Sequence, residues 1–563
     1  MDRRTGGQVV VSALQAEGVT HAFGLIGSAT MEVFDALHGK EDIRFIGVRD
    51  ERTGTHMADG YARASGRAGV IIAGQNGPGA TNLVTGLAQA LAAYSPVVAI
   101  AGSLSTGHVY RDAFQEVDQT ALFRPVTKKT WLVPQAKRIG EMMREAFRTA
   151  TTPRCGPVVL NIARDMLAES IEAADAIAPR GRQADGACAP HPALIERAAA
   201  LLAAAERPLI LAGGGVKNGR HAEVVLKLAE RLSAPVVLSP GHGDAVPCTH
   251  PLYGGQVGPR GNVVATSLAR EADVILALGT RLGFNTTFYT YDHLNPSARI
   301  IQVEIEPTAI GRFFPVEIGM HADAGLTAAA LLAELRAHVP AAAAVGWTDK
   351  FRAARKAMLE ERDRNAAGAG GAIQPAQLFR ALRAVAPADA LYTMDAGTLC
   401  LQATDHLNYV QPPALLTPLD FGLVGFSYAC GLGARLAAPD RSVISLMGDG
   451  GFGMTASELG TAVANGINTV CVVMNNGCWG AEKAYQRDFF GGRYLGADVP
   501  NPPYDKLAQL WGAAGFRVDS ASQLEPALAA ALAAGRPAVV DVMVDPDALY
   551  SFRRDSFQHR AAK

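Results

Sequence analysis

Asp449 and Asn476 are the side chains whose type and spacing speak most directly of chemistry: two oxygen ligands bounding the segment GDGGFGMTASELGTAVANGINTVCVVMNN, residues 448–476. A hard divalent cation such as Mg2+ takes one or two protein oxygens and fills its octahedron with diphosphate and water. Gly448, Gly450 and Gly451 carry no side chains, so backbone N–H groups there can approach an anion closely. Such a set is suited to a metal-bridged diphosphate.

The elements that must bring the two ends together are readable beside them. Residues 443–447 (VISLM) form a continuous apolar run, the pattern of a strand buried on both faces. Thr455 and Glu458 form a T-x-x-E capping box, which predicts a helix ending near Gly466. A second apolar run, 470–474, leads into Asn475-Asn476. Parallel strands end at one edge of a sheet, so Asp449 and Asn476 can meet there. An ordinary strand–helix–strand unit with a glycine turn is the plainer reading of the same segment.

The spacing of GDG, 24 residues and NN resembles the signature of thiamine-diphosphate (ThDP) enzymes. That family also needs an acid, shielded from water, against the cofactor's aminopyrimidine ring. Residues 43–48 read as a strand ending at Arg49-Asp50-Glu51, followed by HMADGYAR at 56–63 and GQNGPGATN at 74–82. This succession resembles the pyrimidine-binding domain of the acetohydroxyacid synthase/decarboxylase superfamily, and the resemblance places the acid at Glu51. Here R-D-E-R stands where relatives commonly have H-E. Read from the residues alone, Asp50 and Glu51 fit solvated strand-end charges equally well.

The resemblance implies the remaining roles position by position. Asp449 and Asn476 become side-chain ligands of Mg2+, with the Cys478 backbone carbonyl a third. Gly448, Gly450 and Gly451 meet the diphosphate, supported from the other side by the loop 395–398 with Thr398. Val424 matches the residue that wedges the cofactor into its bent shape. Gly27, Ser28, Asn76 and Gly77 belong to the pyrimidine side, Trp479 and Gly480 follow the metal, and Phe114 and Gln115 join Glu51 as catalytic residues. Cys478 is no candidate nucleophile, since no paired base lies near it in sequence. In this family the two ends of the cofactor rest on different subunits, which implies a homodimer at least and commonly a homotetramer.

Two groups within the superfamily compete, and both act through a carbanion at the cofactor's C2. Acetolactate-synthase-like decarboxylases and carboligases, acting on 2-keto acids, match DAFQE at 112–116 and GPGATNLVTG at 77–86, but where they place a Trp this chain has Tyr485. Sulfoacetaldehyde acetyltransferases fit better at Gly27-Ser28-Ala29, at QNGPG (75–79), at NNGCWGAEK (475–483) and in the basic tail FRRD (552–555). Their reaction joins an anionic aldehyde and inorganic phosphate, and two anions call for cations. Lys483, Arg553 and Arg554, with Arg111 or Arg487 in reserve, are the candidates; a solvated basic face explains any one of them equally well.

A chain of 563 residues suggests three or four domains. A net charge of −1 offers no field for nucleic acid or membrane. No apolar run reaches membrane-spanning length, and seven scattered cysteines without C-x-x-C pairs fit a reducing cytoplasm. Alternating strands and helices predict an α/β protein of three doubly wound parallel-sheet domains. These are a pyrimidine-binding domain (1–172), a central domain (192–339) and a diphosphate-binding domain (372–550), with a basic tail (551–563). Residues 173–191 and 341–371 read as linkers. The first and third blocks look like variants of one architecture. Gly213-Gly214-Gly215 in the central block lacks the Rossmann spacing and reads more readily as a closely packed turn than as a nucleotide site. Some relatives bind FAD there, which this sequence does not favour.

Overall fold

The apolar runs become central parallel strands because each is covered on both faces. The computed structural model describes residues 3–174, 176, 187–259, 261–368, 371–552, 557 and 559. It contains three six-stranded sheets whose neighbouring strands all pair in parallel, together with a short antiparallel pair, Arg3–Thr5 with Ser170–Glu172. The strands expected from apolar runs are present: Gly69–Ala73, Val97–Ser103 and Val158–Ala163 in the first sheet, Pro208–Ala212, Val274–Leu278 and Arg299–Glu304 in the second, Val443–Gly448 and Val470–Asn475 in the third. Each fully buried Val, Leu or Ile contributes about 1.5–3 kcal/mol, so these runs dominate the cores.

Counting strands one to six along the chain within each sheet, the first and third sheets share the order 2-1-3-4-6-5. The likeness between the two blocks is therefore one of topology. The central sheet has the order 3-2-1-4-5-6. Its triple glycine is explained by packing. A Cβ on Gly215 would stand 2.6 Å from Gly279 Cα, and one on Gly213 2.5 Å from the Gly279 carbonyl oxygen. The turn lies directly against the end of the neighbouring strand.

The first and third domains meet through the helices Glu51–Ser65 and Ser427–Ala437. These approach backbone to backbone: a Cβ on Gly60 would lie 2.0 Å from the Cys430 carbonyl oxygen, and one on Gly433 1.8 Å from that of Met57. The central domain is tied to the third through a buried ion pair of its own, Lys217 Nζ to Asp244 Oδ1 at 2.7 Å: Lys217 Nζ donates to the Leu415 carbonyl. Asp244 Oδ2 also accepts the backbone N–H groups of Ala414 and Leu415 at 2.8 and 2.9 Å.

Two expected features differ. The second linker contains a 24-residue helix, Ala342–Asn365, whose buried residues Ala344, Trp347, Thr348 and Phe351 form an i, i+3, i+4, i+7 stripe against the central domain. The capping box is not made. The helix beginning at Glu458 runs Glu458–Asn465, its N-cap is Ser457 without a side-chain bond, and it ends at Gly466 in the left-handed region as expected. Glu458 is turned toward the first domain. The first expected linker falls mostly outside the described residues, as do Arg553 and Arg554. Among the described residues no helix is long and apolar enough to cross a membrane.

Candidate active site

Asp449 begins a short helix, Asp449–Gly453, directly after the strand Val443–Gly448, and Asn476 follows the neighbouring strand Val470–Asn475. The parallel pairing puts both at one sheet edge. The side-chain oxygen of Asn476 stands 3.0 Å from the Cys478 carbonyl oxygen and 3.2 Å from Asp449 Oδ1. Rotating the amide would turn these contacts into hydrogen bonds. With the amide oxygen inward, three oxygens of three residues converge, an arrangement that a cation between them would stabilise; with the NH2 inward, Asn476 bridges Asp449 and Cys478 by hydrogen bonds. An octahedral ion with bonds of about 2.1 Å has ligand–ligand edges of about 3.0 Å. This donor set would suit a hard cation such as Mg2+, with diphosphate and water completing its shell.

The carboxylate of Asp449 is held by residues that no local motif announces. Asn501 Nδ2 donates to Asp449 Oδ2 at 2.7 Å, and the Tyr504 hydroxyl lies 2.7 Å from Asn501 Oδ1 and donates to the Asp449 carbonyl at 2.8 Å. Burial pushes the Asp449 carboxyl up to about 6, while hydrogen bonds from backbone N–H groups and Asn501 act in the opposite direction. Burial likewise pushes the Cys478 thiol up to about 11. It is a thiol, not a thiolate, at neutral pH, which leaves Cys478 its carbonyl as its useful atom.

Around the cation site lies a cradle of small residues. A Cβ on Gly450 would come within 2.6 Å of the Trp479 ring, so the indole lies flush on the glycine backbone. Asp395, fully buried, accepts the N–H groups of Gly425 and Phe426 at 2.9 and 2.8 Å and thereby fixes the turn that carries Val424. Val424 and Thr398 line the same cavity as Gly448, Gly450, Gly451, Trp479 and Gly480. This cavity, about 1320 Å3, extends from the cradle into the central domain.

The first-domain candidates gather separately. Glu51 begins its helix, is 3% exposed, and accepts Asn82 Nδ2 on Oε2 at 3.0 Å. Ser28 donates its backbone N–H to Gln75 Oε1 at 3.0 Å, Gln75 Nε2 reaches Gln115 Oε1 at 2.5 Å, and Asn76 Nδ2 donates to the Gln115 carbonyl at 3.0 Å. Gly77, at φ 59°, comes so close to Gln115 that a Cβ would lie 2.5 Å from its carbonyl oxygen. Gly27 lines the same edge, packed on Gly74. Phe114 is 84% exposed on the neighbouring loop. None of Gly27, Ser28, Glu51, Asn76, Gly77, Phe114 and Gln115 lines the cavity that holds the cradle. One chain thus presents an acid with its loops in one place and a cation cradle in another.

Comparison with known proteins decides what the two halves belong to. Three family models match in sequence: thiamine pyrophosphate enzyme, N-terminal TPP binding domain, at residues 4–122; central domain at 195–331; and C-terminal TPP binding domain at 395–542. The chain belongs to the thiamine pyrophosphate enzyme family. Among its relatives, a sulfoacetaldehyde acetyltransferase of Alcaligenes xylosoxydans xylosoxydans is 35% identical, covering 98% of this chain and 95% of the relative. A probable acetolactate synthase large subunit of Methanocaldococcus jannaschii is 33% identical over 96% and 92%. An acetolactate synthase large subunit of Haemophilus influenzae is 31% identical over 97% and 95%. This ThDP enzyme is therefore of the acetolactate synthase/sulfoacetaldehyde acetyltransferase group, an acyltransferase or lyase, with both kinds of relative at similar identity.

The candidate cations of this ThDP enzyme are mostly committed elsewhere. Lys483 Nζ is bonded to Asp498 at 2.7 Å, and Arg487 is bonded to Asp488 at 2.7 Å and to the Leu549 carbonyl at 3.1 Å. Arg111 lies on the exposed loop beside Phe114. Phe552, the residue before the Arg pair, lines the cradle cavity and packs on Tyr485 with ring centroids 6.0 Å apart.

Proposed function

We propose that the chain is a sulfoacetaldehyde acetyltransferase, converting sulfoacetaldehyde and phosphate to acetyl phosphate and sulfite. The observation that carries this reading is the entry of the tail into the cradle cavity at Phe552, immediately ahead of Arg553-Arg554. Full-length relatives of that name at 35% and 34% identity add to it.

Asp449, Asn476 and the Cys478 carbonyl would hold Mg2+, the cradle glycines the diphosphate, and Glu51 the aminopyrimidine. When bound, ThDP supplies a nucleophilic carbon for the aldehyde. The chain's part is to bind and orient. Asn82 fixes the Glu51 carboxyl, which would meet the aminopyrimidine, by donating to Oε2, and Val424 and Trp479 line the cradle cavity. Arginine forks of the tail match the sulfonate and the phosphate. In the overall change the C–S bond breaks with its electron pair on sulfite, and a phosphate oxygen takes the acetyl group. Because Glu51 and the cradle line no common cavity in one chain, we further propose a homodimer at least, in the cytoplasm, with each site built from two copies.

Acetolactate-synthase-like carboligation is the second reading, favoured by the neutralisation of Lys483 by Asp498 and by the 33% identical synthase relative. The test is product analysis with ThDP and Mg2+. Phosphate-dependent release of sulfite with acetyl phosphate from sulfoacetaldehyde supports acetyl transfer. Phosphate-independent CO2 release from pyruvate with acetolactate selects the second reading.

A further inference from the structure

Glu458 is fully buried between the first and third domains, and nothing in the cation or cofactor chemistry uses it. Its Oε1 accepts the Arg49 backbone N–H at 3.0 Å and the Thr53 hydroxyl at 2.5 Å, and its Oε2 accepts the Thr461 hydroxyl at 2.6 Å. Arg49 and Thr53 stand two residues before and two after Glu51. A third tie lies between them, Arg52 Nη2 to the Met454 carbonyl at 3.1 Å. Both anchors, Met454 and Glu458, come from the segment that continues directly out of the cradle.

We propose that Glu458 is a positioning residue for Glu51: its carboxylate clamps the turn on both sides of the acid and fixes where the acid points. This rests on the reading of Glu51 as the cofactor-activating acid. The clamp reaches across domains, with sequence separations of 409 and 405 residues in its two bonds. It holds the first turn of the helix Glu51–Ser65, where backbone N–H groups lack intrahelical partners. A carboxylate on two donors that bracket a third residue removes the rotation and fraying open to a helix start. Misplacement of about 1 Å at such a group costs on the order of a hundredfold in rate.

The geometry also distinguishes clamping from proton transfer. Glu458→Gln keeps an oxygen for Arg49 and Thr53 and turns its NH2 toward Thr461, whose hydroxyl can then accept. Glu458→Ala removes the clamp while sparing the contact of the Thr53 hydroxyl with the Asp50 carbonyl at 2.7 Å, and Thr53→Val removes one of the two jaws together with that contact while leaving the carboxylate.

The experiment has two readouts. In protein without cofactor, amide hydrogen exchange of a peptide spanning residues 49–55 should accelerate in Glu458→Ala and Thr53→Val and stay at the parent level in Glu458→Gln. With ThDP and Mg2+ bound, C2–H/D exchange per bound cofactor should fall about ten- to a hundredfold in the first two and stay within about twofold of the parent in Glu458→Gln. Unchanged exchange in both readouts for Thr53→Val and Glu458→Ala would overturn the proposal. So would a Glu458→Gln protein as defective as the alanine variant, which would mean that the proton of Glu458 matters. Should Glu458→Ala fail to fold, the other two variants decide. Glu51→Gln, run in parallel, tests the underlying reading separately: parent-rate C2 exchange there would unseat Glu51 itself, whatever Glu458 does.

Discussion

Tyr504 and Asp449 are 55 residues apart in sequence and joined by a hydrogen bond of 2.8 Å, from the phenol to the Asp449 backbone carbonyl. Through Asn501 the same tyrosine also steadies the Asp449 carboxylate. Asp449, the candidate cation ligand, is therefore held by a side-chain relay as well as by the glycine turn.

Removing that relay should cost cation affinity. Asn501→Ala leaves all three converging oxygens in place but frees the carboxylate to rotate, and loss of such outer support typically lowers metal affinity about 10–100-fold. Titrating Mg2+ in the presence of ThDP by isothermal calorimetry gives the value. An unchanged affinity would show that the turn alone orients Asp449.

Gly450 faces the Trp479 ring at a distance that excludes a methyl group. Gly450→Ala must therefore displace the indole or the short helix Asp449–Gly453. Overpacking of this kind costs about 1–3 kcal/mol, so ThDP should bind roughly tenfold more weakly or worse. Calorimetric titration with ThDP and saturating Mg2+ checks this.

Lys217→Met removes the counter-charge of the buried Asp244 carboxyl beside the contact with the third domain. Breaking one side of a buried pair costs about 3–5 kcal/mol, and the melting temperature should fall by about 5 °C or more. A smaller change, followed by scanning calorimetry, would mean that the two backbone N–H groups from Ala414 and Leu415 suffice for Asp244.

Asp405 gives a pH-dependent prediction. It is half-buried against the central domain, and burial pushes its carboxyl up to about 6 despite hydrogen bonds from Gln256 and Asn262. Its pKa is raised above the unfolded value of about 3.9, so between these two values the folded chain holds a proton that the unfolded chain has lost. Stability from this group must fall as pH rises from about 4 to about 6 and level off above. The difference in urea midpoint between Asp405→Asn and the parent should grow over that window in favour of the variant. A difference independent of pH would remove Asp405 from the account.

Particular residues show how much the chain announced in advance. The strands around the cradle were legible because a parallel strand covered on both faces must be apolar throughout, as in VISLM and VCVVM. The meeting of Asp449 and Asn476 followed from parallel pairing, while the Cys478 carbonyl was implied only by the family resemblance. Glu458 was misread because T-x-x-E describes a local bond, while its carboxylate found better donors 405 and 409 residues away. Asn501, Tyr504 and Asp395 act through tertiary contacts that leave no spacing signal. The helix Ala342–Asn365 did leave one, the stripe Ala344, Trp347, Thr348, Phe351, but its charged and Ala-rich surroundings concealed it. Lys483 reads in sequence as a candidate for the substrate anions or as part of a solvated basic face, and Asp498, brought back by the loop that follows, pairs with it.

The separation of Glu51 from the cradle within one chain leads to the most direct test of the account, that a working site takes its acid from one copy and its cation cradle from another. Chains carrying Glu51→Gln and Asp449→Ala, each inactive alone, are co-expressed with different tags and the mixed assembly is purified. In a two-fold dimer one site then carries both lesions and the other neither, so ThDP-dependent turnover should return to about half that of the parent. Turnover no higher than in either single variant would contradict the account and return both halves of the site to one chain.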